Sequence, residues 1–207
     1  MSRMFYDVRR NNHGMQLSPF KALVVPRPIG WITSLSPAGV VNLAPFSYFN
    51  AMSEDPAMIC FGPGGRKADR PVKDSRANIE ATGEFVVNLA TWDLREQMNA
   101  TSARLPADTD EMQHAGLTPV PSQMVKPPRV AESPVHLECR YWKTIDLPSN
   151  DPDEPNASIF GEVVGIHIRD DLIVNGRVDI TRAKPIARLG YSEYAVVEKS
   201  FQMRRPA

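Results

Sequence analysis

The chain has 207 residues, enough for one domain with a sizeable core. Its 24 Lys and Arg balance its 24 Asp and Glu, so no net field draws in nucleic acid or an anionic membrane, and 42% apolar with 23% charged residues is an ordinary globular composition. No apolar run approaches the roughly 20 residues of a membrane span, and the N-terminal MSRMFYDVRRNN lacks the apolar stretch of a secretory signal, so the expectation is a cytoplasmic protein without a nucleic-acid or membrane partner.

In chain order, Ile29 to Leu35 is apolar and β-branched and predicts a strand. Ser36-Pro37-Ala38-Gly39 is a turn signal, and Val40 to Leu43 reads as the return strand. The stretch Ala44-Pro45-Phe46-Ser47-Tyr48-Phe49-Asn50 is too polar and too broken by proline for a core strand; its hydroxyls, amide and rings suit a flat ligand with polar edge atoms. A strand is predicted at 57–62, and a helix from Pro71 to Ala81 that stops at Gly83. A strand at 84–89 follows, then a helix from Leu94 to Ala103 with Leu94, Met98 and Thr101 at helical spacing. Proline-punctuated loops over Leu105–Pro134 and Leu147–Pro155 flank predicted strands at 135–146 and 157–169. Strands outnumber helices without regular β-α-β alternation, so the fold class is mostly β, with a few short helices and an antiparallel sheet.

The chain carries no Gly-x-Gly-x-x-Gly and no P-loop signature. Lys73-Asp74-Ser75 stands at the start of the first long predicted helix, where unpaired N–H groups and the positive end of the helix dipole suit a phosphate. Ser53 offers a further hydroxyl, and Arg66 with Lys67, in Gly64-Gly65-Arg66-Lys67, would close over the anion. The alternative for Asp74 and Ser75 is plain N-capping. Along the edge of a flat ring stand Thr33, Ser34, Ser47, Tyr48 and Asn50, with Trp31 and Phe49 as walls. Trp31 and Phe46 read equally well as core, and Thr33 as an ordinary strand residue. His167, between Ile166 and Ile168, faces either the mouth of such a pocket or a structural partner. His13, His114 and His136 do not group with Cys60 or Cys139 at metal spacing, so no metal site is expected, and the two cysteines read as buried free thiols. No Gly-x-Ser-x-Gly elbow is present.

Arg27-Pro28, Trp31-x-Thr33-Ser34 and Gly39-x-x-Asn42-x-Ala44-Pro45-Phe46-Ser47-Tyr48-Phe49 together resemble the signature of the flavin reductase-like family of FMN-binding split β-barrels. Four further blocks keep the family's order: Ser53-x-Asp55-Pro56 with Lys73-Asp74-Ser75-x-x-Asn78-Ile79, then Gly83-Glu84-Phe85-Val86-Val87-Asn88, Phe160-Gly161-Glu162-Val163, and Arg188-Leu189-Gly190-Tyr191-x-x-Tyr194. The resemblance implies a single domain over 1–207 with its core at about 21–197. It implies FMN as cofactor, with its phosphate at Lys73, Asp74 and Ser75 near Ser53 and Arg66, and its ring between Trp31, Thr33 and Ser34 and the turn from Ser47 to Asn50. It further implies NADH or NADPH as electron donor, a homodimer with the flavin near the subunit boundary, and an NAD(P)H-dependent flavin reductase that passes a hydride to flavin; whether the reduced flavin is released to a partner monooxygenase is left open. The alternatives it leaves are a flavoredoxin-like electron carrier, a reductase of another acceptor, and a non-catalytic FMN-binding or storage protein. The cofactor carries such chemistry, so no catalytic acid or base is expected, Glu162 and Glu193 included. Arg188, Tyr191 and Tyr194 would line the nicotinamide side or the partner's flavin. The chain departs from the family pattern with Ser75 for Thr, Tyr191 for Gly, and an acidic loop at 148–156.

Overall fold

The computed structural model describes residues 3–67, 71–106 and 108–206. In chain order the elements are α1 (Phe20–Leu23), β1 (Arg27–Pro28), β2 (Gly30–Leu35), β3 (Val41–Phe46), β4 (Phe49–Glu54), β5 (Ala57–Phe61), α2 (Asp74–Thr82), β6 (Glu84–Leu89), α3 (Arg95–Ala100) and α4 (Glu111–His114). They continue with β7 (Pro119–Val120), β8 (Arg129–Val130), β9 (Val135–Leu147), β10 (Asn156–Ile168), β11 (Ile173–Val174), β12 (Arg177–Val178), β13 (Ile186–Arg188) and β14 (Tyr194–Val196). Seven strands form one antiparallel sheet in the order β3-β2-β6-β9-β10-β5-β4, and β1, β13 and β14 form a second, smaller sheet. The mostly-β expectation holds, with four short α-helices among the described residues. Among the described residues no helix is long and apolar enough to cross a membrane.

The turn that joins β2 to β3 follows its sequence signal. Gly39 takes φ 85°, which a side chain resists, and its N–H donates to the Ser36 carbonyl at 2.9 Å. β3 runs further than the sequence suggests, through Pro45 to Phe46. It is an edge strand, so a residue without an N–H can sit in it at no cost to a second neighbour. The same polar stretch continues into β4, the opposite edge, which the sequence reading leaves outside any strand. The two edge strands of the sheet are thus joined covalently through Ser47 and Tyr48.

β2 is buried on both faces, and its alternation sends side chains into two different cores. Trp31 joins a cluster with Leu43, Leu94, Met98, Met112 and Val130, while Ile32 joins Phe46, Phe61, Phe85, Val87 and Ile159. The second cluster leaves no room at position 161: a Cβ there would lie 2.4 Å from the Phe85 Cζ, so only glycine lets β10 pass beside that ring. Position 30 is equally tight, with Phe49 Cδ2 2.7 Å from where a Cβ would stand. α2 covers β2 and β3 and stops at Gly83, whose φ of 76° closes the helix through a bond to the Ile79 carbonyl.

Candidate cofactor site

Two clefts meet at the corner between β3 and β4. The larger has a volume of about 860 Å³, within the range of small-molecule sites. Its floor and walls include Phe46, Ser47, Tyr48, Phe49 and Asn50, all from this corner. The long β9–β10 hairpin supplies Leu147, Pro148, Asn156 and Ser158, and the chain before β2 supplies Lys21, Arg27 and Pro28. The smaller cleft, about 270 Å³, lies against the start of α2 and is lined by Asn42, Lys73, Asp74, Ser75, Arg104 and Glu111, with Arg66 and Lys67 also at its rim. Pro45, Phe46 and Lys73 line both.

The start of α2 gathers Lys73, Asp74 and Ser75 at the smaller cleft. Lys73 occupies the N-cap position in an extended conformation and makes no side-chain capping bond, so Asp74 and Ser75 fall inside the first turn and plain N-capping by their side chains is not what places them there. Lys67 pairs with Asp74 and donates to the Leu105 carbonyl at 2.9 Å, which draws the loop before α2 onto the segment after α3. Arg66 faces Asp153 of the β9–β10 hairpin at 3.6 Å. Lys73 stands 5.8 Å over the Phe46 ring. Burial depresses its ammonium pKa, and repulsion from Arg104, Lys21 and Lys67 adds to that, against a smaller opposing pull from Glu154. Glu111 closes the far side; its carboxylate accepts the Leu43 N–H at 3.1 Å, and burial pushes its pKa up.

Behind this surface runs a chain of buried amides and hydroxyls. Asn42 Nδ2 donates to Ser75 Oγ at 2.8 Å and to Ser34 Oγ at 3.3 Å, and Asn78 Nδ2 also donates to Ser34 Oγ at 3.3 Å. Ser34 therefore holds Asn42 and α2 in place from behind and lines neither cleft. Thr33 Oγ1 accepts from Asn88 Nδ2 at 2.8 Å, fully buried. Trp31, expected as a pocket wall, lies instead in the core, where its indole N–H donates to Thr101 Oγ1 at 2.9 Å. All three belong to β2, which has covered faces on both sides, so no β2 side chain can reach a cleft. Ser53, expected near the phosphate, donates to the Pro56 carbonyl at 2.7 Å across the β4–β5 turn and lines neither cleft.

The remaining expected residues converge. Ser47, Tyr48, Phe49 and Asn50 line the large cleft, Arg66, Asp74 and Ser75 the small one, and Lys73 both. Sequence reasoning did not place Lys21, Arg104, Glu111, Cys60 and the 156–158 strand at the site; they arrive from segments far apart in the chain. The strand could have been found by pairing, because β10 runs antiparallel to β5, which β4 flanks on its other side. The Cys60 thiol is raised in pKa by burial, which keeps it protonated at neutral pH.

His167 is not at the cleft. Its Nε2 meets Glu138 Oε1 at 2.5 Å, on strands β9 and β10 away from both clefts. Tyr191 takes φ 55°, a left-handed conformation that glycine adopts freely, which accounts for the glycine common at this position in the family's motif.

Residues 22–183 match the family model described as flavin reductase like domain. Nitrilotriacetate monooxygenase component B from Bacillus cereus superposes with a TM-score of 0.86 at 28% identity, covering 98% of this chain and 100% of that one. The 2-nitrobenzoate 2-nitroreductase of Pseudomonas fluorescens gives 0.78 at 29% identity, covering 90% and 88%. A protein with a split barrel domain from Shewanella frigidimarina gives 0.82 at 20% identity over 99% and 100%, a likeness of fold. A family match over most of the chain, on a mostly-β split barrel whose corner gathers the motif residues, means that this chain belongs to the flavin reductase-like family of flavin-binding proteins.

Proposed function

We propose that the protein is an FMN-binding oxidoreductase, an NAD(P)H-dependent flavin reductase. The observation that carries this reading is Lys73, a depressed ammonium at the junction of a ring-sized cleft and a phosphate-sized one, beside a helix start without a side-chain cap. The donor set fits the cofactor. A phosphate at the small cleft would meet the α2 first turn, Ser75 and the charges of Lys73, Arg66 and Arg104. The isoalloxazine would lie along Ser47 to Asn50, whose backbone groups and amide match a polar ring edge and whose rings offer a wall. When bound, the flavin supplies the site that accepts a hydride; the chain binds it, orients it and sets the charge around it. No protein acid or base is required.

The assembly reading is a homodimer. β4 is an edge strand, exposed from Asn50 to Glu54, and Met52 and Tyr48 present apolar surface there at 49% and 45% exposure. An isologous pairing of copies would cover that edge and narrow the large cleft. The recipient of the electrons divides two readings. Resemblance to a monooxygenase component B supports release of reduced flavin to a partner oxygenase. A cleft of about 860 Å³ with room beside the corner, and resemblance to a nitroreductase, support a second substrate reduced in place. The test is direct: purified protein loaded with FMN should bleach on anaerobic addition of NADH or NADPH within the time of mixing. Bound flavin that stays yellow with both nucleotides leaves only a carrier or storage role.

A further inference from the structure

The large cleft is positive at two ends. Lys73 makes one, which the flavin reading assigns to the cofactor phosphate. Lys21 and Arg27 make the other, where α1 and β1 close the wall. Arg27 is buried, and its guanidinium donates to the carbonyls of Lys21, Val24 (2.6 Å) and Leu189 (2.9 Å), so one side chain ties two distant chain segments to the cleft wall. Its Nε has no partner. Among the described residues neither Lys21 nor Arg27 forms an ion pair, and no Asp or Glu lines this cleft. A buried charge without a counter-ion is costly in the empty protein and favours an occupant that brings the opposite sign. The mutual repulsion is felt across the cleft, since Lys21 is one of the cations that depress Lys73.

One monophosphate answers the Lys73 end and leaves this one unanswered. The surfaces beside it are flat and apolar: Pro26, Pro28 and the Tyr48 ring, which is 45% exposed and has the Arg27 guanidinium carbon 5.8 Å from its centroid. A cation bounded by rigid planes selects a planar ring with a carboxylate over a flexible or neutral ligand. We propose that the Lys21–Arg27 end binds a small aromatic carboxylate as the protein's second ligand, its ring against Tyr48 and its carboxylate toward the two cations. Arg27 fixes the backbone of residues 21–24, and Lys21, exposed at the cleft mouth, supplies the reachable charge. The proposal rests on the flavin reading only in giving the Lys73 end to the cofactor.

Benzoate and its neutral isostere benzamide are the probes, read by calorimetry on flavin-free protein and by the difference spectrum of bound FMN on loaded protein. Benzoate should bind at least about tenfold tighter than benzamide in both forms. Lys21→Ala should remove most of that preference and Lys21→Glu should reverse it; both are read on flavin-free protein, so that the coupling of Lys21 to Lys73 does not enter the comparison. Arg27→Lys, kept only if its thermal transition is unchanged, should weaken benzoate as well. Equal binding of the two probes, or benzoate binding untouched by both Lys21 substitutions, overturns the proposal. So does the case in which those substitutions weaken NADH or NADPH and spare benzoate, since the end then belongs to the nicotinamide donor. If the unmutated protein binds benzoate with the stated preference but no FMN, this proposal stands and the flavin reading falls.

Discussion

Two polar clusters sit on this sheet, one buried beneath it and one lining an open cleft, and they differ in where their charges find partners. Beneath the 121–130 segment, Glu138 is fully buried yet saturated: it accepts from the Gln123 N–H (2.9 Å), the Met124 N–H (2.6 Å) and His167. The pull of those donors outweighs its burial and holds its pKa below the usual carboxylate range. At the β3–β4 corner the opposite holds. Lys21, Arg27 and Lys73 face a common cleft without one lining carboxylate, and Lys73 pays in a depressed pKa. A buried charge answered from within its own chain fastens the fold; charges left facing each other across open volume wait for a ligand. Residue type alone does not separate the two, since histidine and glutamate look more catalytic than lysine and proline.

The sharpest way to break this contrast is at Glu138. Glu138→Ala strips three donors of their acceptor and should cost about 3–5 kcal/mol in urea unfolding, while the FMN affinity of the folded fraction stays unchanged. A normal stability with lost flavin would invert the assignment of the two clusters. Next in size, Ser47→Trp should weaken FMN by at least about a hundredfold with little change in melting temperature, because Ser47 borders the cleft and sits outside both apolar clusters. Removing the charge and hydroxyl at the helix start, Lys73→Ala with Ser75→Ala, should cost about 1.5–3 kcal/mol of FMN binding, the range for hydrogen bonds to charged groups, and should spare riboflavin.

The clusters should also respond to opposite ends of the pH scale. Burial lowers the His136 pKa from 6.5 to about 4, with its Nε2 held at the Val130 carbonyl. The unfolded chain therefore takes up the proton first. The stability contributed by neutral His136 is full above pH 6.5 and declines as pH falls toward 4, by up to about 3 kcal/mol at 1.36 kcal/mol per unit. The depressed Glu138 adds to the same acid loss, below its ordinary pKa. Lys73 works the other way: its charge is lost on the alkaline side, below the usual lysine pKa, and a bound phosphate opposes that loss. FMN affinity should thus weaken as pH rises through the alkaline range, whereas unfolding stability should weaken on acidification; urea titrations and FMN titrations across pH read the two separately. The smallest effect should be at His167→Ala, whose rate of flavin reduction per bound FMN should fall only modestly, well short of the 10²–10⁴ loss that removal of a general acid produces.

Much of this fold is legible in the amino-acid sequence. Alternation and turn chemistry placed β2, the Ser36–Gly39 turn, β5, β6, β9 and β10 within a few residues, and the corner from Phe46 to Asn50 announced itself by crowding rings and hydroxyls beside a proline. The reading failed where a side chain's partner lies far along the chain. Thr33 and Ser34 look like ligand groups, but Asn88, Asn42 and Asn78 satisfy them, and only the pairing of β2 with β3 and β6 and the docking of α2 reveal those amides as neighbours. Trp31 failed for the same reason: its partner Thr101 is 70 residues away. The cations of the large cleft were hidden because Lys21, Arg27 and Lys73 become neighbours only once the corner folds.

The central claim is that the β3–β4 corner and the α2 start together hold a flavin by its phosphate. Fluorescence titration of the purified, flavin-stripped protein with FMN and riboflavin at neutral pH tests it most directly. The account predicts FMN binding tighter than riboflavin by about tenfold or more, the size of one charge-assisted contact, with the difference largely gone in Lys73→Ala with Ser75→Ala. Equal affinity for the two flavins in the unmutated protein would contradict it.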